Sequence, residues 1–305
     1  MSLRIKVIMN PNSGRQTSRQ LVDDLLGHLL DADKLARADI NYTREKTDAF
    51  SFARDTSAEE YDLILVVGGD GTVHDVVNGL MDSGSDIPLA IFAGGTVNDF
   101  ATFIDLPTDP YTYSQMLVSH NKIKVDLGRV GKRYFLNVLA GGMLTDIAYK
   151  VPADSKAIFG RFAYWFEGAI DFPANMKDCI PIIVKSEDET FNFDAMMFII
   201  SNSKNVGGVR KLLPYAEVSD GLLDVLLIPK LSAGEFLPLL GKVLIGDHLN
   251  FDKVRYFQTK KVRISTSAGK KVRLDLDGEE GPYLPVTIEC VPKALTLIVP
   301  ADYEK

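Results

Sequence analysis

Asp70 stands among glycines in Gly68-Gly69-Asp70-Gly71-Thr72, directly after the branched apolar run Leu63-Ile64-Leu65-Val66-Val67. Glycines let the main chain take positive φ and approach an anion closely, and the N–H groups opening a following helix supply donors and partial positive charge. That is phosphate-binding chemistry. A carboxylate in such a turn repels bare phosphate, so Asp70 fits either a metal-bound nucleotide or the removal of a proton from an attacking hydroxyl. The plainer alternative is an aspartate that caps the next helix. Asn10-Pro11-Asn12-Ser13-Gly14 and Ala93-Gly94-Gly95-Thr96 are turns of the same polar, glycine-bearing kind. Taken singly, each is ordinary turn chemistry. Asp277-Gly278-Glu279 adds two carboxylates across a common turn pair.

The elements that must hold these residues follow from periodicity. The run before Gly68 predicts a strand buried on both faces, and Val73, Val76, Val77 and Leu80 beyond it fall at helical spacing. Residues 5–9 predict a first strand. A helix over 16–30 follows, with Leu21, Leu25, Leu26 and Leu29 on one face. A weaker strand over 38–42 leads to Thr43 and a helix carrying Ala49, Phe50 and Ala53, and residues 88–92 predict another strand. Such alternation is that of a parallel α/β sheet, whose strands all end along one ligand-binding edge. Asn10, Ser13, Gly14, Thr43, Gly69 to Thr72 and Thr96 are therefore expected to converge.

From about residue 122 the texture changes. The runs 124–130 and 133–138 flank Gly131-Lys132, a hairpin signature. A helical region over 157–170 carries Phe159, Phe162, Tyr164, Trp165 and Phe166; core packing is the plain reading, lipid contact the alternative. Short strands over 181–185, 191–201, 222–228, 262–266, 272–276 and 286–290 predict an antiparallel β-sandwich. The division is thus an α/β domain over 1–123 and a β-rich domain over 124–293. The last run, within 294–305, is able to finish the sandwich or to return to the first domain.

Composition narrows the chemistry. The 305 residues carry a net charge of −7, which argues against a nucleic-acid partner. Two cysteines make no disulfide framework, and the four histidines show no metal-ligand spacing, so a reduced cytoplasm fits. No apolar run approaches the ~18 residues of a spanning helix, and no cleavable leader is evident. The Walker pattern, the dinucleotide fingerprint, the Gly-x-Ser-x-Gly elbow and the His-Glu-x-x-His helix are all missing.

Gly68-Gly69-Asp70-Gly71-Thr72, preceded by Asn10-Pro11-x-Ser13-Gly14 and followed by Gly95-Thr96-x-Asn98-Asp99-Phe100, resembles the soluble bacterial diacylglycerol kinase and lipid kinase family, which shares its catalytic domain with sphingosine and ceramide kinases. Asp220-Gly221-Leu222-Leu223-Asp224 and Asp277-Gly278-Glu279 fall where that family has its later motifs, so the resemblance runs the whole length. It implies an N-terminal α/β domain similar to NAD kinases and phosphofructokinases, a C-terminal β-sandwich on the lipid side, and catalysis in the cleft between them. The implied reaction is ATP- and magnesium-dependent phosphorylation of a lipid hydroxyl, most simply diacylglycerol to phosphatidic acid.

Carried over by residue, the resemblance assigns ATP binding to Asn10, Pro11, Asn12, Ser13, Gly14, Thr43, Gly68, Gly69, Asp70, Gly71, Thr72 and Thr96. It assigns proton acceptance to Glu279, beside Asp277, with Asp70 as the competing candidate. Asp70, Asp99 and Asp126 would form an acidic network around the nucleotide magnesium. A second, structural magnesium would rest on the Asp220 carboxylate and the main-chain carbonyls of Glu217 and Leu222. A homodimer, a cytoplasmic location and transient contact with the inner membrane face are further implications.

This chain departs from the family at His74 and Asp75, where Asn and Glu are frequent; His74 reads as a solvated surface residue. The basic residues Lys253, Arg255, Lys260, Lys261, Arg263, Lys270, Lys271 and Arg273 read as the solvated face of the sandwich. Two other functions stay open. One is a kinase of a soluble acceptor, since Gly-Gly-Asp-Gly also occurs in NAD kinases and phosphofructokinases; the other is a non-catalytic, nucleotide-binding regulatory protein.

Overall fold

The computed structural model describes residues 2–13, 18–95, 98–142, 179–266 and 271–303. Gly14, Thr96, Lys270 and the helical region expected over 157–170 lie outside the described residues. The chain divides into two compact units, one of Met1–Val125 with Lys293–Lys305 and the other of Asp126–Pro292.

The first unit alternates strand and helix: β1 (Leu3–Met9), α1 (Ser18–Asp31), β2 (Leu35–Tyr42), α2 (Asp48–Arg54), β3 (Leu63–Gly68), α3 (Asp70–Ser83), β4 (Leu89–Ala93), α4 (Asp99–Phe103) and α5 (Pro110–Ser119). Its strands lie in the order β4-β3-β1-β2, all parallel. Every residue of β3 is buried, as an unbroken apolar run requires when helices cover both faces. The buried face of α1 is Ser18, Val22, Leu25 and Leu29. Leu21 and Leu26, expected there, are only half-buried, because the face is centred one residue away. Fully burying each such side chain contributes roughly 1.5–3 kcal/mol.

From β1 the order grows outward through β2 on one side and through β3 and β4 on the other. The direction reverses between β1 and β3, and at such a reversal the connecting loops part and leave a crevice beyond the strand ends. The turns 10–13 and 68–72 leave those two strands.

The second unit holds most of β5 (Lys122–Val130), then β6 (Arg133–Phe135), β7 (Val138–Gly142), β8 (Ile180–Lys185), β9 (Thr190–Ser201), β10 (Leu223–Pro229), α6 (Ala233–Ile245), β11 (Arg255–Thr259), β12 (Lys261–Thr266), β13 (Arg273–Leu276), β14 (Glu279–Tyr283) and most of β15 (Val286–Ile298). It is a β-sandwich of antiparallel strands. β9 serves both of its layers, pairing with β8 through residues 190–195 and with β7 and β10 through its second half. Along β9 and β10 the side chains alternate between two cores. Phe198, Ile200, Val225 and Leu227 face one cluster; Met197, Ile199, Leu226 and Ile228 face another, which α6 covers with Phe236, Leu239 and Leu240.

The β5–β6 hairpin turns at Gly131-Lys132, with Val130 opposite Arg133. Its second run stops at Phe135, and β7 begins a separate pairing after Leu136-Asn137. The last apolar run returns to the first unit, where Leu297 pairs in parallel with Leu89. Elements not foreseen include α4, α5, α6, β11 and β14, the last of which lies where a turn was expected. Basic residues of this region form exposed ion pairs: Lys253 to Glu235, Arg255 to Glu189, Lys261 to Glu289 and Arg273 to Glu280.

Candidate active site

In the first unit, main-chain packing draws the three polar turns together. The Asn10 N–H donates to the Val67 carbonyl at 2.9 Å, and Asn10 Nδ2 donates to Thr72 Oγ1 at 3.3 Å. Asn10 also shapes its own turn, since Oδ1 accepts the Asn12 N–H at 3.0 Å and its carbonyl accepts Ser13 Oγ at 2.7 Å. Thr43 joins at the end of β2, its N–H donating to the Met9 carbonyl at 2.8 Å. Behind the third turn, the Gly94 N–H donates to the Gly68 carbonyl at 2.9 Å. Asn98, at φ 48°, clamps Gly95 by accepting its N–H at 3.0 Å and donating Nδ2 to its carbonyl at 2.7 Å. Asn10, Ser13, Thr43 and the 68–72 turn thus converge as expected.

The glycines act differently from the expectation. Gly69 sits at φ −87°, an ordinary value, so positive φ is not what glycine supplies there. Close approach is. A Cβ on Gly95 would lie 2.7 Å from Gly69 Cα, and one on Gly68 would lie 2.6 Å from Thr72 Cβ. The turns pack main chain against main chain, leaving the opening of α3 as a ready site for an anion.

Asp70 is the first residue of α3 and half-buried, while Asp99 is the first residue of α4 and buried. His74 is 2% exposed, correcting the surface reading. It lies one residue from Val73 and two from Val76 on the buried side of α3, so its ring packs inward.

The second unit gathers carboxylates instead. Asp277 and Gly278 form the two-residue turn joining β13 to β14, with φ of 52° and 93°, the conformation in which Asp-Gly is favoured. The Asp277 carboxylate accepts three main-chain N–H groups, those of Leu136 at 2.9 Å, Asn137 at 2.9 Å and Val138 at 2.8 Å. It therefore ties the hairpin to the chain entering β7 and fixes where β14 starts. Glu279, half-buried, is that first residue.

Asp126 is fully buried. Its N–H donates to the Val218 carbonyl at 2.7 Å, and its Oδ2 accepts the Gly221 N–H at 2.6 Å, which binds it to the 217–222 turn. In that turn Asp220 Oδ1 accepts the Leu222 N–H at 2.9 Å. Burial raises the Asp220 pKa against that hydrogen bond, and the charges of Asp126 and Glu217 raise it further. Burial likewise pushes Asp224 up to about 6, against hydrogen bonds from Tyr256 and Gln258.

Among the described residues no three His, Cys, Asp or Glu side chains are arranged to hold a metal ion between them. A cation at the 217–222 turn would rest on Asp220 and main-chain carbonyls. Crowded carboxylates and all-oxygen donors suit magnesium, which is a hard cation and relieves their mutual repulsion.

Sequence reasoning missed a buried polar network beside these carboxylates. Ser201, Asn202 and Ser203 are fully buried, and Asn137 and Asn205 nearly so. The Asn137 carbonyl accepts Ser201 Oγ at 2.7 Å and the Asn202 N–H at 2.9 Å, while Asn202 Nδ2 donates to the Asp126 carbonyl at 2.6 Å. The network links the strand entry held by Asp277 to Asp126. Its signal was the polar run Ser201-Asn202-Ser203-Lys204-Asn205 directly after an apolar strand.

Comparison with known proteins gives these clusters a common context. The diacylglycerol kinase catalytic domain matches residues 4–130, and the YegS C-terminal NAD kinase beta sandwich-like domain matches residues 157–299. A diacylglycerol kinase of Staphylococcus saprophyticus is 32% identical over 303 residues, covering 99% of this chain and 97% of that protein. One of Bacillus subtilis is 29% identical over 304 residues, covering 98% and 97%. The crystal structure of a diacylglycerol kinase from Bacillus anthracis has a TM-score of 0.80 at 25% identity, covering 98% of this chain and 97% of its own. With likeness running through both units, the chain belongs to the diacylglycerol kinase family and is a lipid kinase.

Proposed function

We propose that the chain transfers the γ-phosphoryl group of ATP to the free hydroxyl of diacylglycerol, giving phosphatidic acid and ADP. The observation that carries the nucleotide half is the tight packing of the 10–13, 68–72 and 94–95 turns beyond the ends of β1, β3 and β4. A family whose members are kinases, and relatives named diacylglycerol kinase, support the reaction class and the lipid.

In the proposed reaction the acceptor oxygen forms a bond to the γ-phosphorus while the bond from that phosphorus to the β,γ-bridging oxygen breaks. The electron pair leaves with ADP. The hydroxyl proton goes to the Glu279 carboxylate, whose position the Asp277 turn sets. Asn10 to Gly14, Thr43, Gly68 to Thr72 and Thr96 bind ATP. Asp70, Asp99 and Asp126 are the residues proposed for the nucleotide magnesium, with Asp220 and the Glu217 and Leu222 carbonyls for a structural one. Magnesium, when bound, neutralises phosphate charge as it builds in the transition state. We place the reaction at the cytoplasmic membrane face.

Incubation with radiolabelled ATP, magnesium and diacylglycerol in mixed micelles tests this. Labelled phosphatidic acid is the expected product. Failure to label any neutral lipid, with ATP binding intact by calorimetry, would overturn it in favour of a regulatory nucleotide binder.

A further inference from the structure

Resting on the reading that the 217–222 turn holds magnesium, we propose that Asn202 is a positioning residue: its side-chain amide holds Asp126 against that turn and thereby sets the magnesium affinity. Asn202 directly follows β9 and is fully buried. Its N–H donates to the Asn137 carbonyl at 2.9 Å, and the Asn137 N–H donates in turn to the Asp277 carboxylate at 2.9 Å. Its Nδ2 donates to the Asp126 carbonyl at 2.6 Å. Asp126 is thus held at three points, since its own N–H reaches the Val218 carbonyl and its Oδ2 accepts the Gly221 N–H. Val218 and Gly221 lie between Glu217 and Leu222, on either side of Asp220. Removing the Asn202 amide therefore frees Asp126 on one side and loosens its grip on the turn.

The amide is not there to complete the hydrogen bonding of the core. Around it, Asn137 uses both ends of its side chain, Oδ1 accepting Ser203 Oγ and Nδ2 donating to the Asn205 carbonyl at 3.2 Å. Ser201 Oγ donates to the Asn137 carbonyl at 2.7 Å and accepts the Ser203 N–H at 3.2 Å. Asn202 uses only its nitrogen. The Asp126 carbonyl can only accept, so Nδ2 must face it, and Oδ1 is left buried without a partner among the described residues. Buried polar atoms are nearly always paired, and an exception beside a carboxylate cluster points to an ion or its hydration.

Negative potential gathers at the same place. Burial, with the charges of Asp126 and Asp220 behind it, pushes the Cys290 thiol up to about 12. The Asn202 oxygen adds to that potential, which a hydrated magnesium ion relieves. Side chains that orient the groups around a metal typically govern its affinity by about 10–100-fold.

The test titrates the full chain with magnesium alone by calorimetry, and follows the rise in melting temperature that magnesium gives each variant over its own baseline. Asn202→Ala is expected to weaken magnesium binding by about 10–100-fold and to shrink that rise. In the diacylglycerol assay the magnesium concentration for half-maximal turnover should climb in step, while saturating magnesium restores most of the rate. Asn202→Leu fills a similar volume without the amide and should behave alike; it carries the test should Asn202→Ala fail to fold. Ser201→Ala, which also breaks buried hydrogen bonds of the network, should melt lower with magnesium affinity unchanged. Parent-like magnesium affinity in both Asn202 variants overturns the proposal, whatever their stability. Equal weakening by Ser201→Ala overturns it too, since softening of the whole network would then suffice. A parent that binds no magnesium removes the metal reading and this proposal together. A parent that phosphorylates no lipid, yet binds magnesium more tightly than Asn202→Ala does, refutes the kinase reading and leaves the positioning role standing.

Discussion

The turns of the first unit and the carboxylate clusters of the second are built on opposite principles. Beyond β1, β3 and β4 the surface is main chain, brought so close that a single Cβ at Gly95 has no room. In the second unit the parts are charged side chains held by main-chain donors, three of them on Asp277 alone. Phosphate oxygens are large, diffuse acceptors that many N–H groups share, so geometry of the backbone decides binding. Proton acceptance depends on one carboxylate at one place, so what holds that carboxylate decides rate.

Four substitutions break or sharpen this contrast, in falling order of effect. Glu279→Gln should lower turnover by about 10²–10⁴-fold with ATP affinity and melting temperature unchanged, because it removes the proposed proton acceptor and little packing. A near-normal rate would shift that role to Asp70, and Asp70→Asn measured in parallel reads the difference. Gly95→Ala should act oppositely, weakening calorimetric ATP binding about 10²-fold by forcing the turns apart, with a smaller loss of stability. Unchanged affinity there would end the main-chain account of the first unit.

Asp277→Asn keeps the side-chain size but exchanges an ionised acceptor for a neutral one. About 1.5–3 kcal/mol of stability should be lost in denaturant unfolding, and turnover should fall with it. A loss of rate without loss of stability would mean that Asp277 touches the reacting atoms instead of positioning Glu279.

The smallest effect concerns His248, 1% exposed near α6. Its Nε2 donates to the Leu212 carbonyl at 2.7 Å, and Nδ1 has no partner. Burial lowers its pKa, against the Leu212 carbonyl and the Asp247 charge. Below pH about 6.5 the unfolded chain therefore binds the proton more readily, and stability falls as pH falls, by at most ~1.4 kcal/mol per pH unit until the folded pKa is passed. His248→Asn should lose that slope between pH 5 and 7. An unchanged slope would trace acid sensitivity to the carboxylate clusters instead.

How much of this was legible depended on whether a signal was local. The unbroken apolar run of β3 announced a fully buried strand, and Gly131-Lys132 announced its hairpin. α6 went unseen because Pro238 and Gly241 look like breakers and because Leu237, Leu244 and Ile245, exposed yet apolar, obscure the usual split into an apolar and a polar face. The Ser232 and Glu235 capping box was the available sign of its start. β11 went unseen because the segment from Lys253 onward drew notice for its charge, not for the alternation of Arg255 to Thr259.

By itself the sequence determined the alternation of strands and helices from β1 to β4, the turn chemistry at Asn10, Gly68 and Asp277, and the family to which those motifs correspond. These are properties of contiguous residues, set by steric preference and periodicity. Only the tertiary structure decided that Gly69 is needed for closeness and not for positive φ, that His74 points inward, and that Asp277 spends its carboxylate on the chain entering β7. Each of those outcomes depends on what lies opposite in space, contributed by residues up to about 140 positions away.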